Sequence, residues 1–146
     1  MLEPYRVLDL TDERGELAGF MLAQLGAEVI AIEPPNGSPS RSMGPFRDGK
    51  PGIENSLRFG SYGRGKSSVI LDLIGSETDR QKLLELVKGA DVLVIALGGN
   101  DGLRGIPPGE TKKNLLEIIT KARAKNPKIK ILIAGMQMPD NMGPRF

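Results

Sequence analysis

The sequence predicts an α/β fold: one parallel sheet of five strands between two layers of helices, as in Rossmann-like and flavodoxin-like proteins. Three observations lead to this prediction. Short apolar runs alternate with segments of helical periodicity, the runs are apolar enough to be covered on both faces, and 146 residues with 39% hydrophobic content suit one domain. We expect the strand order 3-2-1-4-5, with right-handed crossovers, in a single domain of residues 1–146.

The first half of the chain contains two strand signals, one helix signal and a long irregular segment. Residues 6–10 and 29–32 are typical of buried strands, and residues 15–25 carry apolar side chains at the spacing of one helical face. Residues 36–66 are rich in Gly, Pro, Ser and Arg and show no period. A loop of this length is uncommon inside a compact domain, so we expect it to be functional or to contain short elements.

The second half returns to regular alternation. Residues 68–73 predict the third strand, and Ser76 begins a capping sequence for the helix that follows. Residues 91–97 and 129–133 predict the fourth and fifth strands, with a tail after residue 134. The helix between these strands has the clearest apolar stripe of the chain, formed by Leu115, Ile118, Ile119 and Ala122.

Composition excludes several classes of function. The chain has no cysteine and no histidine, so it has no disulfide, thiolate nucleophile or Ser–His pair. Aromatic residues are only 4%, and charge alternates in blocks, from −5 over residues 1–34 to +4 over residues 36–66. Both observations argue against a nucleic-acid partner, and the blocks are typical of solvated faces. No apolar run reaches the length of a membrane span, so we expect a soluble cytoplasmic protein without a membrane partner.

One motif has two interpretations. Residues 60–67 match G-x-x-x-x-G-K-[ST], the phosphate-binding loop of nucleotide triphosphatases, but a strand follows Lys66 where that loop requires a helix. The alternative is a Gly-rich turn that leads into a strand and leaves Arg64 and Lys66 available to an anion. In parallel sheets, ligands bind beyond the carboxyl ends of the strands, which directs attention to residues 11–15, 34–66 and 98–108.

Several segments resemble the N-terminal part of the family III (CaiB/BaiF-type) CoA-transferases over residues 3–94. They are residues 5–11 (YRVLDLT), 22–30 (LAQLGAEVI), 64–66 (RGK), 71–73 (LDL) and 90–94 (ADVLV). The resemblance implies a Rossmann-like fold whose loops contact coenzyme A; we expect no cofactor in this chain, with coenzyme A as the one alternative. The contacts that it implies in this sequence are Thr11, Asp12, Arg14, Gly15, Arg41, Arg64 and Lys66.

From residue 91 onward the chain resembles a second family, the GDSL/SGNH hydrolases of the arylesterase and lysophospholipase type. The segments are residues 97–105 (LGGNDGLRG) and 135–146, which closes on GPRF. This resemblance places Gly99 and Asn100 in a vestigial oxyanion hole. The family's nucleophilic serine block is replaced by residues 10–13 (LTDE), and its histidine is absent.

The two resemblances together predict a chimera, with residues 1–94 CoA-transferase-like and residues 95–146 hydrolase-like. We expect it to be engineered, with natural recombination as the alternative, and not to be an enzyme, because the catalytic aspartate of the first family lies outside the matched segment. The alternatives are residual binding of coenzyme A or another phosphate-bearing nucleotide, and a vestigial esterase using Thr11 or Ser61 near Asn100.

Two further expectations concern metals and oligomers. Asp9, Asp12 and Glu13 could suggest a magnesium site, but acidic residues near a helix start also suit the helix dipole, and we expect no metal. In the hydrolase family a helix follows the position of residues 145–146, so we expect a sheet face left uncovered at the C-terminus, through which two copies could form a homodimer.

Overall fold

The computed structural model describes residues 1–97 and 107–134, which form a five-stranded parallel sheet. The strands are β1 (Arg6–Thr11), β2 (Glu28–Glu33), β3 (Lys66–Ile70), β4 (Val92–Ala96) and β5 (Lys130–Ile133). Their order across the sheet is β3-β2-β1-β4-β5, with every neighbouring pair parallel. The predicted fold class and strand order are therefore confirmed.

Helices cover both faces of this sheet. They are α1 (Glu16–Gln24), α2 (Leu57–Tyr62), α3 (Glu77–Lys88) and α4 (Pro108–Lys125). Because side chains alternate along β1, Leu8 and Leu10 enter a core with Val87 of α3 and Ala122 of α4, while Val7 faces α1. This alternation sorts the side chains of each strand between an apolar layer under α3 and α4 and a more polar layer under α1.

The third strand begins and ends earlier than predicted. It spans Lys66–Ile70 and ends before the apolar residues Leu71 and Leu73 that suggested a strand over residues 68–73. The reason is Asp72, whose carboxylate accepts the backbone N–H groups of Ile74 and Gly75 at 3.1 and 2.7 Å and turns the chain. Leu71 is buried nonetheless, so its apolar character reflects packing in the core.

The long segment between β2 and β3 contains short elements, as expected. Two single-turn 3₁₀ helices (Pro39–Ser42 and Arg47–Gly49) precede α2. Ser56 organises the segment: its hydroxyl lies 2.8 and 2.6 Å from the carbonyl oxygens of Ser40 and Met43, and it accepts the N–H of Phe59 at 3.1 Å. This segment folds over the same face of the sheet as α1.

Within residues 1–97 and 107–134, no helix is both long enough and apolar enough to cross a membrane.

Candidate ligand-binding site

A polar cavity of about 160 Å³ lies on the α1 face, toward the carboxyl ends of β1 and β2. Its floor comes from the strands, and its cover comes from the segment between β2 and β3. The lining includes three acids and two bases, namely Asp9, Glu16, Glu33, Arg41 and Lys66, together with the ring of Phe59. The cavity is therefore at the position where parallel sheets bind ligands.

Asp9 and Lys66 form a buried ion pair at the base of the cavity. The Lys66 Nζ lies 2.9 Å from Asp9 Oδ2, and the two side chains are only 6% and 2% exposed. The ammonium also donates to the backbone carbonyl of Glu16 at 2.8 Å. The second carboxylate oxygen of Asp9 is buried and has no hydrogen-bond partner among residues 1–97 and 107–134. Lys66 thus joins β3 to β1 and to the start of α1.

Glu33, at the end of β2, holds the most extensively bonded carboxylate of the site. The Arg41 guanidinium donates to its two oxygens at 2.6 and 2.8 Å, the Ser38 N–H donates at 2.7 Å, and the Ser68 hydroxyl also donates. Hydrogen bonding by Arg41 lowers the pKa of Glu33 to about 2, although burial opposes this. Arg41 also packs over the Phe59 ring, with its Cζ 3.7 Å from the ring centroid.

Glu16, in the first turn of α1, pairs with Arg58 of α2. Arg58 Nε lies 3.0 Å from Glu16 Oε1, but within the described part of the chain neither atom makes an aligned hydrogen bond. Burial raises the pKa of Glu16, and the neighbouring Ser40, Arg58 and Lys66 oppose the rise. The Arg58 Nη2 donates to the backbone carbonyl of Glu13 at 2.6 Å. Arg58 therefore reaches the loop that joins β1 to α1.

This β1–α1 loop, residues 11–15, is closed by its own hydrogen bonds. The Asp12 carboxylate accepts the Arg14 N–H at 3.0 Å, and the Asp12 carbonyl accepts the N–H groups of Gly15 and Glu16 at 3.0 and 3.1 Å. A Cβ atom at Gly15 would lie 2.4 Å from the Ala96 side chain, so only glycine fits between the loop and β4. The loop is a compact turn whose central amides bond to Asp12.

The structure gathers most of the site residues that the resemblance implied. Thr11, Arg41 and Lys66 line the cavity, and Asp12, Arg14 and Gly15 belong to the adjoining loop. Arg64 lies elsewhere, because its carbonyl accepts from Gln24 at the far end of α1 and its guanidinium is 5.4 Å from the Phe20 ring centroid.

The predicted oxyanion-hole residues, Gly99 and Asn100, lie outside the described residues.

Arg58 was missed by the sequence analysis. In the sequence, Arg58 is simply one basic residue of a positively charged block. The acid and the carbonyl that it contacts lie more than 40 positions earlier in the chain. Acid–base pairs at such separations have no periodicity that a sequence displays.

The acidic residues near β1 are not grouped around a common point. Asp9 pairs with Lys66, while Asp12 bonds to its own loop. Among the residues that the structure describes, no three acidic side chains are gathered as a bound metal ion would require.

The sequence and fold match those of known proteins. Residues 2–101 match the sequence model of CoA-transferase family III. Succinyl-CoA:(R)-benzylsuccinate CoA-transferase subunit BbsE of Thauera aromatica is 41% identical over 90 residues, which is 62% of this chain and 22% of that protein. The crystal structure of the protein Rv3272 from Mycobacterium tuberculosis superposes with a TM-score of 0.64 at 34% identity, covering 99% of this chain and 37% of that one.

A second similarity concerns the hydrolases. The esterase TesA of Pseudomonas aeruginosa is 49% identical over 55 residues, which is 38% of this chain and 26% of the esterase. The chain thus carries similarity to both families that its sequence resembles, consistent with a chimera. It spans only about a quarter of the length of these curated relatives.

One expectation is wrong. The chain was expected not to be an enzyme, because the catalytic groups of both families are missing from the segments that it resembles. Its relatives are named as CoA-transferases, which are enzymes, and the match to their family covers more than half of the chain. By this match, the chain belongs to CoA-transferase family III.

Proposed function

We propose that this chain binds coenzyme A, as the nucleotide-binding part of a family III CoA-transferase. The observation that supports the proposal best is the polar cavity at the carboxyl ends of β1 and β2, beside the β1–α1 loop. The family's relatives include enzymes named for CoA transfer, and this cavity adjoins most of the residues that we expect to contact coenzyme A.

The size of the cavity limits what enters it. At about 160 Å³ it is smaller than the roughly 300–1,000 Å³ of pockets that enclose a whole drug-sized ligand. Coenzyme A would therefore place one part in the cavity and the rest along the surface of the β1–α1 loop. In this proposal Thr11, Asp12 and Gly15 shape that surface.

The charges divide into two groups with different roles. Arg41 and Lys66 are neutralised by buried carboxylates, so they would orient a ligand with their remaining N–H groups and add little net charge. Arg14 also has an acidic partner, since its Nε lies 3.7 Å from Glu13 Oε1, but it is exposed on the loop, where its guanidinium can attract the phosphates of coenzyme A. We therefore expect Arg14 to contribute more than Lys66 to the salt dependence of binding.

The activity proposed for the protein as a whole is CoA transfer between carboxylic acids. In such a reaction, a CoA thioester and a free carboxylate exchange partners, so that the first acid is released and the second becomes the thioester. The relatives give no support for an engineered origin, which is not part of this proposal.

Calorimetric titration with coenzyme A tests the binding. We expect heat of binding at low ionic strength, weaker affinity at 0.5 M salt because phosphate contacts are screened, and tighter binding of coenzyme A than of pantetheine, which lacks the nucleotide. Arg14→Gln should weaken binding several-fold. Arg123→Gln, which removes an exposed charge from the last turn of α4, is the matched control and should leave the affinity unchanged. No heat at millimolar coenzyme A would contradict the proposal.

The predicted homodimer concerns residues 135–146, which lie outside the described residues, and it stays a proposal. Sedimentation at increasing protein concentration tests it: a monomer throughout would refute it.

A further inference from the structure

Three ion pairs fasten residues 34–66, which are the segment between β2 and β3 together with the first residue of β3, to the unit that precedes them. Each acid comes from the β1–α1–β2 unit, and each base comes from residues 34–66. The pairs are Asp9 with Lys66 at 2.9 Å, Glu16 with Arg58 at 3.0 Å, and Glu33 with Arg41 at 2.6 Å. All three acids are buried, so the pairs are shielded from solvent screening.

Two of these bases also bond to main-chain carbonyls around the β1–α1 loop. Arg58 Nη2 donates to the Glu13 carbonyl at 2.6 Å, and Lys66 Nζ donates to the Glu16 carbonyl at 2.8 Å. Hydrogen bonds from a charged donor are about twice as strong as neutral ones. The loop backbone is therefore held from outside at two points, on either side of Gly15.

Arg58 and Lys66 differ in how they are built into the fold. Lys66 is buried in the sheet, and its removal would leave Asp9 buried and unpaired. Arg58 is 36% exposed and approaches the loop from α2, so its side chain can be shortened without leaving a void in the core. Loss of Arg58 removes the cation paired with Glu16 but leaves the Asp9–Lys66 pair in place, so the loop can be released while the sheet stays intact.

We infer that Arg58 is a positioning residue that fixes the conformation of the β1–α1 loop from the segment between β2 and β3. Its consequence for binding rests on the proposed function. If coenzyme A lies along this loop, then Arg58 holds the loop in its binding conformation before the ligand binds. Without Arg58, part of the binding free energy is spent on ordering the loop, and the affinity falls. The effect is transmitted through the Glu13 carbonyl and needs no contact between Arg58 and the ligand.

Hydrogen exchange of the whole chain without ligand tests the first part. Arg58→Gln should speed exchange of the amides of Arg14, Gly15 and Glu16 by about tenfold, with the amides of β1 and β4 unchanged. Arg58→Lys keeps a charged donor on a long side chain and should restore part of the protection. Arg80→Gln is the matched control, because Arg80 also pairs with a glutamate and donates to two main-chain carbonyls, at Leu73 and Ile74.

Titration of the same variants with coenzyme A tests the second part. We expect Arg58→Gln to weaken affinity by about tenfold, Arg58→Lys by less, and Arg80→Gln not at all. Unchanged exchange in Arg58→Gln would overturn the inference, as would equal exchange changes in Arg80→Gln. If the wild-type chain shows no binding, the proposed function fails, and the exchange result alone decides whether Arg58 positions the loop.

Discussion

At the scale of single residues, buried carboxylates dominate the behaviour of the site. Arg41 bonds to two acids with very different surroundings: the Glu33 side chain is 3% exposed, and that of Glu54 is 77% exposed. The first carboxylate has lost its water and depends on its protein donors. The second remains solvated, and exposed ion pairs contribute little to stability. The ion pair of Arg41 with Glu33 should therefore contribute more to stability than its ion pair with Glu54.

Glu33→Gln should destabilise the fold by about 3 kcal/mol near neutral pH, whereas Glu54→Gln should cost about 0.5 kcal/mol or less. Because the folded pKa of Glu33 is lowered to about 2, its contribution is complete above the ordinary glutamate pKa and is lost as pH falls from about 4.5 toward 2. Urea unfolding at several pH values measures this. Equal losses in both variants, or an unaltered acid slope in Glu33→Gln, would contradict the assignment.

The Asp9–Lys66 pair gives a second prediction at this scale. Lys66→Met leaves the Asp9 carboxylate buried without a cation and should cost about 3–5 kcal/mol. The double variant Asp9→Asn/Lys66→Met removes both charges and should recover part of this loss. Urea midpoints of the two single variants and the double variant give the coupling energy. Additive losses would show that the two side chains act independently.

The sequence predicted several of the residues that surround the site, but not the ion pairs that they form. Arg41 and Lys66 were expected to contact coenzyme A, and in the structure each is also paired with a carboxylate of the protein. Their partners lie 8 and 57 positions away, and burial on one sheet face makes them partners. Such pairing depends on the register of β1, β2 and β3, which motifs do not encode.

At the scale of elements, α1 is set unusually close to β1. A Cβ atom at Gly19 would lie 1.9 Å from Asp9 Oδ2 and 2.9 Å from Lys66 Nζ. Only glycine permits this approach, which lets the helix lie directly over the buried ion pair. The periodicity of residues 15–25 predicted the helix correctly, but it carried no information on how near the helix comes to the sheet.

Gly19→Ala should therefore destabilise the protein, although alanine is the better helix former. Overpacking of this kind costs about 1–3 kcal/mol. Gly60→Ala, within α2, is the matched control: no atom of the residues that the structure describes lies within 4 Å of its added Cβ, and the change should stabilise by about 0.5–1 kcal/mol. Thermal unfolding followed by circular dichroism measures both. A stabilised Gly19→Ala variant would show that α1 shifts freely away from the sheet.

At the scale of the whole molecule, the charge blocks of the sequence acquire a meaning. The acidic block of residues 1–34 and the basic block of residues 36–66 were interpreted as solvated faces. Three acids of the first block are buried against three bases of the second, so part of the pattern describes one segment docking on another. The strands could be predicted because their apolar runs are visible in the sequence whatever their register. The docking of residues 34–66 could not, because it depends on the three-dimensional positions of the paired side chains.

Asn126 ties the connection between α4 and β5 to the turn between α3 and β4. Following α4, its side-chain amide donates to the carbonyls of Val87 and Ala90 at 3.0 and 2.7 Å, which closes the turn between α3 and β4. Asn126→Ala should cost about 1–3 kcal/mol, because the Ala90 carbonyl loses this donor and the Val87 carbonyl keeps only the Ala90 N–H. Asn55→Ala, which removes one exposed bond to the Lys50 carbonyl, should cost less.

If residues 1–146 form one domain, far-UV circular dichroism and tyrosine fluorescence should report a single urea transition. Asn126→Ala should shift that transition for both probes together. Two separated transitions would indicate that the CoA-transferase-like and hydrolase-like parts unfold independently.

The strand order also determines when each strand finds its neighbours during synthesis. β1 is made first but lies at the centre of the sheet, and its second neighbour, β4, is complete only at Ala96. While the chain emerges from the ribosome, β3, β2 and β1 can assemble with one edge of β1 still open and with Leu8 and Leu10 uncovered by α3 and α4. Growing chains aggregate through open strand edges and uncovered apolar surface. We therefore expect the growing chain to be most prone to aggregation between completion of β3 at Ile70 and completion of α4 at Lys125.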